Sequence, residues 1–159
     1  MGIHGFSGAM FDRDLWWSLV GLQHNSFAET LKQQGLPSCG GAFRGICDSN
    51  LVHLAFQEAV SVRSFVYLLT LNTHLPLAAV SISDSERQMC SAERLDEDVC
   101  QMVAQTGRVL SAIGKEAAAV VRAPLIVVIG DHAPPFARTE SREQFDQKYV
   151  PAYILRPQN

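Results

Sequence analysis

Three features are missing from this 159-residue chain: clustered positive charge, long apolar runs and a leader-like amino terminus. Lys and Arg number 13 against 16 Asp and Glu, which gives a net charge of −3, and the basic residues form no stripe. A nucleic-acid-binding surface is therefore not expected. No stretch reaches the roughly 20 apolar residues that cross a bilayer. The first residues, MGIHGFSGAMFDRD, lack the basic and apolar segments of a signal peptide.

The composition is that of one globular domain. Hydrophobic residues make up 47% and charged residues 18% of the chain, which excludes a disordered protein. The length suffices for a real core but not for two domains of ordinary size. We therefore treat residues 1–159 as a single unit.

The four cysteines form two local pairs. Cys39 and Cys47 lie in the glycine-rich stretch LPSCGGAFRGICD, and Cys90 and Cys100 flank the polar stretch SAERLDEDV. This pattern predicts two short-loop disulfides and an oxidising compartment. Structural zinc sites use tighter spacing, which disfavours a zinc knuckle. Four reduced, buried thiols are the remaining alternative. Disulfides without an export signal suggest a fragment of a longer extracytoplasmic protein.

Hydrophobic periodicity and turn residues predict the elements of the chain. Helices are predicted over 11–20, 49–61 and 95–122. Strands buried on both faces are predicted over 65–71 and 125–129, and a weaker edge strand over 149–155. Residues 133–147 are predicted to form a loop or a short helical turn. The order strand, long helix, strand is a βαβ unit, which predicts an α/β fold with the two clear strands parallel.

Both clear strands end in side chains that bind metals or anions. His74 follows the first strand, and Asp131 and His132 follow the second. Sites in parallel α/β sheets form where the carboxyl ends of strands converge, so these residues are expected at one edge of one sheet. His4, in the glycine-rich stretch IHGFSG, is a fourth candidate.

A carboxylate beside an imidazole suits Zn²⁺ or Mn²⁺. His74 and His4 would add a ligand or a hydrogen bond to an anionic substrate. Such a set fits Lewis-acid catalysis on a phosphoryl or sulfuryl group. The structural alternatives are a hydrogen-bonded histidine at each strand end and an Asp131 that merely caps a turn.

Four stretches resemble, in order, one known family: IHGFSGAMFDRD, FVYLLTLNTHLPL, LIVVIGDHAPPF and YVPAYILRP. They are similar to the C-terminal half of the catalytic domain of lipoteichoic acid synthases and phosphoethanolamine transferases. These enzymes belong to the sulfatase-like branch of the alkaline phosphatase superfamily. The GDH and NTHLP motifs are specific in combination and weak singly.

The resemblance implies a three-layer α/β/α sandwich with a mostly parallel sheet, of which this chain is a C-terminal portion. Asp131 and His132 match the family's metal-binding pair, for Zn²⁺ or Mn²⁺, and His74 and His4 match histidines that face the substrate head group. The implied reaction is transfer or hydrolysis of a phosphate ester through a phospho-threonine. The implied substrate is an anionic phospholipid or glycan head group, at the periplasmic face of the inner membrane. A membrane-proximal region would precede this chain.

The sequence also departs from the family. Its nucleophilic threonine and a metal-binding acid precede the HG motif, so no nucleophile is assigned here. The segment FARTESREQFDQKYVP has no histidine, which argues against a second zinc, and APPF replaces the usual sequence after GDH. The alternatives are an inactive sulfatase-like module that binds envelope components and a zinc hydrolase that uses a metal-bound water. An incomplete sheet would expose an edge and an apolar face, so we expect that this chain alone is marginally stable, that it self-associates, or that its natural reading frame begins upstream of Met1.

Overall fold

The computed structural model describes residues 1–40, 43–61 and 64–157. Its strands are β1 (Gly2–His4), β2 (Asn25–Ser26), β3 (Ser38–Cys39), β4 (Gly45–Ile46), β5 (Tyr67–Leu69), β6 (Ile126–Ile129) and β7 (Ala152–Leu155). Its helices are α1 (Arg13–Leu19), α2 (Ala28–Gln33), α3 (Asp48–Ser61), α4 (Asp84–Ala92), α5 (Glu97–Ala119) and α6 (Thr139–Arg142), and a 3-10 turn over Met10–Asp12 precedes α1.

A small parallel sheet forms the centre of the N-terminal part. Its strand order is β2-β1-β5, and Ile3 of β1 pairs with Ser26 on one side and Leu68 on the other. Ile3 packs with Leu31 and Leu51, from the helices that cover the sheet. Because β1 is paired on both edges and buried along its length, it holds His4 in place at its carboxyl end. The α/β class is confirmed at this level.

The expected parallel pairing of the strands over 65–71 and 125–129 is wrong. Strand β6 pairs antiparallel with β7 instead, with Val127 opposite Ile154, and the two form a separate sheet. The connection from β6 to β7, residues 130–151, runs through the proline-rich loop and α6. It is shorter than the chain between β5 and β6, residues 70–125, so closing it costs less conformational entropy.

The same two strands are not buried on both faces, as the sequence predicts. Tyr67 in β5 is 38% exposed, Val127 and Ile129 in β6 are 56% and 64% exposed, and all four residues of β7 are exposed. In the β6–β7 sheet especially, long apolar side chains remain in contact with solvent. An exposed apolar surface of this kind is expected of a sheet that lacks a neighbouring layer. Self-association stays a prediction.

The helices agree with the sequence patterns, with two omissions, α2 and α4. The predicted helices over 49–61 and 95–122 are α3 and α5, and the helix over 11–20 is α1 with its preceding turn. Helix α4 was not predicted. Its signal is a capping box, in which the Ser83 hydroxyl accepts a hydrogen bond from the Glu86 N–H and the Glu86 side chain accepts one from the Ser83 N–H.

Both predicted disulfides are present. Cys39–Cys47 links β3 to β4, and Cys90–Cys100 links α4 to α5. The second bridge lies in an apolar cluster with Ile82 and Ala104. No helix within the described ranges is long and apolar enough to cross a membrane.

Replacing Cys90 and Cys100 together by serine should lower the free energy of unfolding by about 2–3 kcal/mol, because the bridge closes a short loop that is otherwise free in the unfolded chain. Urea unfolding of the variant beside the wild type measures this. The exposed Ser91→Ala variant, in the same helix, is the control and should change stability by less than about 0.5 kcal/mol. Equal stability of wild type and double variant would contradict the prediction.

Candidate functional site

His4 presents an unpaired ring nitrogen at the end of the central strand. The residue is 1% exposed, and its Nδ1 lies 3.0 Å from the carbonyl oxygen of Leu69 in β5. Its Nε2 is buried and has no hydrogen-bond partner within the described part of the chain. Burial lowers the pKa of His4, while the Leu69 carbonyl opposes that shift. A buried polar atom without a partner is costly, so Nε2 is suited to meet a ligand.

A strained turn positions Arg13. Phe11 and Asp12 both have left-handed backbone conformations, with φ of 58° and 51°. Such conformations cost free energy in residues other than glycine and often occur at functional sites. The Arg13 guanidinium lies 5.0 Å from the centre of the Phe11 ring, and its Nη1 donates a 2.9 Å hydrogen bond to the Met10 carbonyl. The turn therefore holds a partly buried cation beside the HG motif.

The Arg13 guanidinium interacts electrostatically with ionisable groups from other elements. Burial lowers the pKa of Arg13, and Tyr67 in β5 and Asp131, which lies after β6, oppose that shift. Burial is also the main cause of the lowered pKa of His4, and the Arg13 charge adds to it. No pattern in the sequence pointed to Arg13 beyond its place in AMFDRD.

Asp131 and His132 form a pair that fits part of a metal site. The His132 Nε2 lies 3.7 Å from an Asp131 carboxylate oxygen, and the His132 Nδ1 lies 2.9 Å from the Ala133 carbonyl oxygen. Two zinc ligands, each about 2 Å from the ion, lie less than about 4 Å apart, so the spacing fits. In metal-binding histidines, the ring nitrogen that does not contact the metal usually hydrogen-bonds a carbonyl or carboxylate oxygen, as Nδ1 of His132 does here.

This pair supplies only two ligands. Across the residues that the structure describes, no group of three or more His, Cys, Asp and Glu side chains is arranged to hold a metal ion. Structural and catalytic zinc sites use at least three protein ligands. Asp131 and His132 thus fit half of a zinc or manganese site, and their side chains are open to solvent, 83% and 57% exposed.

His74 lies in the loop after β5, whereas Asp131 and His132 lie after β6 in a separate sheet, so these residues do not share the expected sheet edge. Its Nδ1 lies 2.5 Å from the Leu75 carbonyl oxygen, and its ring packs edge-on against Phe43, with 4.8 Å between ring centres. His4, His74 and His132 thus share one arrangement, in which Nδ1 faces a backbone carbonyl. This arrangement leaves Nε2 of each ring available to a ligand.

Asp48 fixes the start of the His74 loop, which comprises residues 70–76. The residue is 1% exposed, and its carboxylate accepts hydrogen bonds from the N–H groups of Leu71 at 2.9 Å and Asn72 at 2.7 Å. Its own N–H donates to the Asn72 side-chain oxygen at 2.8 Å. Burial raises the pKa of Asp48, and the N–H donors of Asn72 and Leu71 oppose that shift. The sequence carried no signal for this contact, which joins residues 23 or 24 positions apart.

Comparison of the chain with protein-family models, with curated proteins and with solved structures finds no match.

Asp48→Asn should lower the free energy of unfolding by about 2–3 kcal/mol, because an amide replaces the charged acceptor of two buried N–H donors. Urea unfolding at neutral pH measures the effect. Asp84→Asn, at an exposed carboxylate, removes the same charge and should cost less than about 0.5 kcal/mol. An Asp48→Asn variant as stable as that control would show that the contact contributes little.

The lowered pKa of His4 predicts a pH dependence of stability. A histidine whose folded pKa lies below its unfolded value of about 6.5 binds fewer protons when folded, so the free energy of unfolding decreases as the pH falls below that value. Arg13 strengthens and Glu29 weakens this effect through their charges. Between about pH 7.5 and about pH 5.5, wild type should lose more stability than His4→Gln.

Urea unfolding at both pH values provides the measurement, with the exposed His24→Gln variant as a control that keeps the wild-type dependence. Parallel pH profiles for wild type and His4→Gln would show that His4 is not the responsible group.

Proposed function

We propose that this chain is the C-terminal part of a sulfatase-like, metal-dependent phosphotransferase or hydrolase that acts on phosphate or sulfate esters of cell-envelope lipids or glycans. The complete domain would be a three-layer α/β/α sandwich. The observation that carries the proposal is the buried Nε2 of His4, which has no hydrogen-bond partner in the described part of the chain and is influenced by the charge of Arg13. The Asp131–His132 pair adds two candidate metal ligands. These groups suit an anionic ester and a metal ion.

Each residue has a role that its chemistry supports. Arg13 would bind the transferred anion through its planar guanidinium, which matches phosphate oxygens. Nε2 of His4 and of His74 would hydrogen-bond the anionic head group. Asp131 and His132 would hold Zn²⁺ or Mn²⁺, which when bound polarises a phosphoryl or sulfuryl oxygen. No nucleophile is assigned, so this chain alone should show little or no turnover.

Location outside the cytoplasm is part of the same proposal. Two disulfides, Cys39–Cys47 and Cys90–Cys100, are typical of an oxidising compartment. A substrate with an anionic phospholipid or glycan head group would be available there.

The second candidate is a catalytically inactive sulfatase-like module that binds anionic envelope components. It is favoured by one observation, that Asp131 and His132 supply two metal ligands and that the described residues contain no three-ligand group. This candidate needs Arg13 and His4 but not the metal pair. The two candidates therefore differ in whether metal binding is retained.

The first experiment is titration of the purified chain with Zn²⁺ and Mn²⁺, with the Asp131→Ala/His132→Ala variant beside it. Removing both ligands should weaken metal binding at least about tenfold. The exposed His24→Ala variant controls for adventitious binding by surface histidines. Equal metal affinity of wild type and double variant would contradict the assignment of Asp131 and His132.

Binding of inorganic phosphate, measured by calorimetry, separates the two candidates. Arg13→Gln should weaken it about tenfold, whereas Arg87→Gln, an equal charge change at an exposed site, should not. Phosphate binding without metal binding supports the inactive module, and both together support the enzyme. A wild-type chain that binds neither would overturn the proposal.

A further inference from the structure

Three aromatic rings connect the two loops that carry His4 and His74. The His74 ring packs edge-on against Phe43 at 4.8 Å between ring centres, and Phe43 packs edge-on against Phe6 at 5.8 Å. Phe6 belongs to the HG loop, which comprises residues 4–8. Edge-to-face packing at these distances is attractive and orients both rings. Phe43 therefore contacts both loops that carry substrate-facing histidines.

Phe43 belongs to a disulfide-closed hairpin, which we call the Cys39–Cys47 hairpin and which consists of β3, β4 and their connection. The strands pair antiparallel, with Cys39 opposite Gly45, and the Cys39–Cys47 bridge closes the base. Phe43 lies two residues before β4, which is held by its pairing with β3 and by the neighbouring disulfide.

The hairpin is docked against the HG loop. The Ile46 N–H donates a 2.7 Å hydrogen bond to the Gly5 carbonyl. A Cβ atom at Gly5 would lie 2.9 Å from the Ile46 carbonyl oxygen, so the backbones approach more closely than any other residue at Gly5 would allow. The Phe6 ring, one residue later, is thereby held at a fixed place relative to the hairpin.

The residue after the hairpin binds the His74 loop. Asp48 directly follows Cys47, and its carboxylate accepts hydrogen bonds from the N–H groups of Leu71 and Asn72. These bonds fix the start of the loop but not the His74 side chain, which is exposed and hydrogen-bonds only the adjacent Leu75 carbonyl in the described structure. The edge-on contact with the Phe43 ring joins the His74 side chain to the hairpin.

We propose that Phe43 is a positioning residue, which holds the His74 imidazole in a fixed orientation relative to the HG loop and depends on the Cys39–Cys47 bridge to do so. As a role in substrate binding, this rests on the proposed function. The orientation of His74 itself is a property of the ligand-free chain and is tested separately.

The test is NMR of the histidine ring protons in the ligand-free chain, with the His74 signals assigned through a His74→Gln variant. The Phe43 ring shifts the His74 signals because its ring current alters the magnetic field at protons this close to it. Phe43→Leu should move these signals toward the positions of a solvent-exposed histidine, whereas Phe43→Tyr should keep them. The matched control is Phe145→Leu, which breaks a different aromatic pair, that of Phe136 and Phe145.

The Cys39→Ser/Cys47→Ser variant should move the His74 signals in the same direction as Phe43→Leu. Unchanged His74 signals in Phe43→Leu would overturn the proposal, whatever the cysteine variant does. Since Phe43 is partly exposed, Phe43→Leu keeps the fold, and this variant decides the outcome if the cysteine variant unfolds.

The binding arm uses inorganic phosphate as the probe. Phe43→Leu should weaken phosphate binding about three- to tenfold, in line with the loss of one oriented aromatic contact. Phe43→Tyr keeps that contact and should bind phosphate as the wild type does. If Phe43→Leu shifts the His74 signals but binds phosphate as tightly as the wild type, the proposed role of Phe43 in phosphate binding would be overturned. A wild-type chain that binds no phosphate would overturn the proposed function, while the His74 signals still decide the positioning role.

Discussion

The arrangement of the N-terminal part depends on one buried carboxylate. Asp48 stands at the start of α3, and its charge is stabilised by the N–H groups of Leu71 and Asn72. A buried carboxylate without such donors would cost several kcal/mol, so the end of β5 must lie where it can supply them. Because Cys47 immediately precedes Asp48, the same point also anchors the disulfide hairpin. Helix, hairpin and strand end are joined there.

The candidate site is assembled from segments that are far apart in sequence, and each segment is constrained locally. The parallel pairing of β1 with both neighbouring strands holds His4. Phe11 and Asp12 have left-handed backbone conformations, and the turn that they form leads into α1 at Arg13. Asp131 and His132 lie just after β6, which belongs to a separate sheet and does not pair with β5.

The two halves of the chain differ in how well they are covered. Around β1 and α3 the side chains of Ile3, Ile46 and Leu51 are fully buried, whereas Val127, Ile129 and Ile154 in the β6–β7 sheet are more than half exposed. The second half is held by the Cys90–Cys100 bridge and by the contacts of α5 with α3 and α4. An apolar sheet with open faces is less stable than a covered one, and its exposed strands can pair with other chains.

The sequence by itself determined the features that depend on near neighbours. Helices α3 and α5 follow from apolar residues at intervals of three and four, and both disulfides follow from cysteines 8 and 10 positions apart. The candidate residues His4, His74, Asp131 and His132 were identified from strand ends and motifs. Tertiary structure alone decided the partner of β6, the exposure of β5 and β6, and the contacts of Arg13, Phe43 and Asp48. These features depend on contacts between residues far apart in the chain. Hydrophobic periodicity shows only which face of an element is apolar, so it does not specify which other element will cover that face.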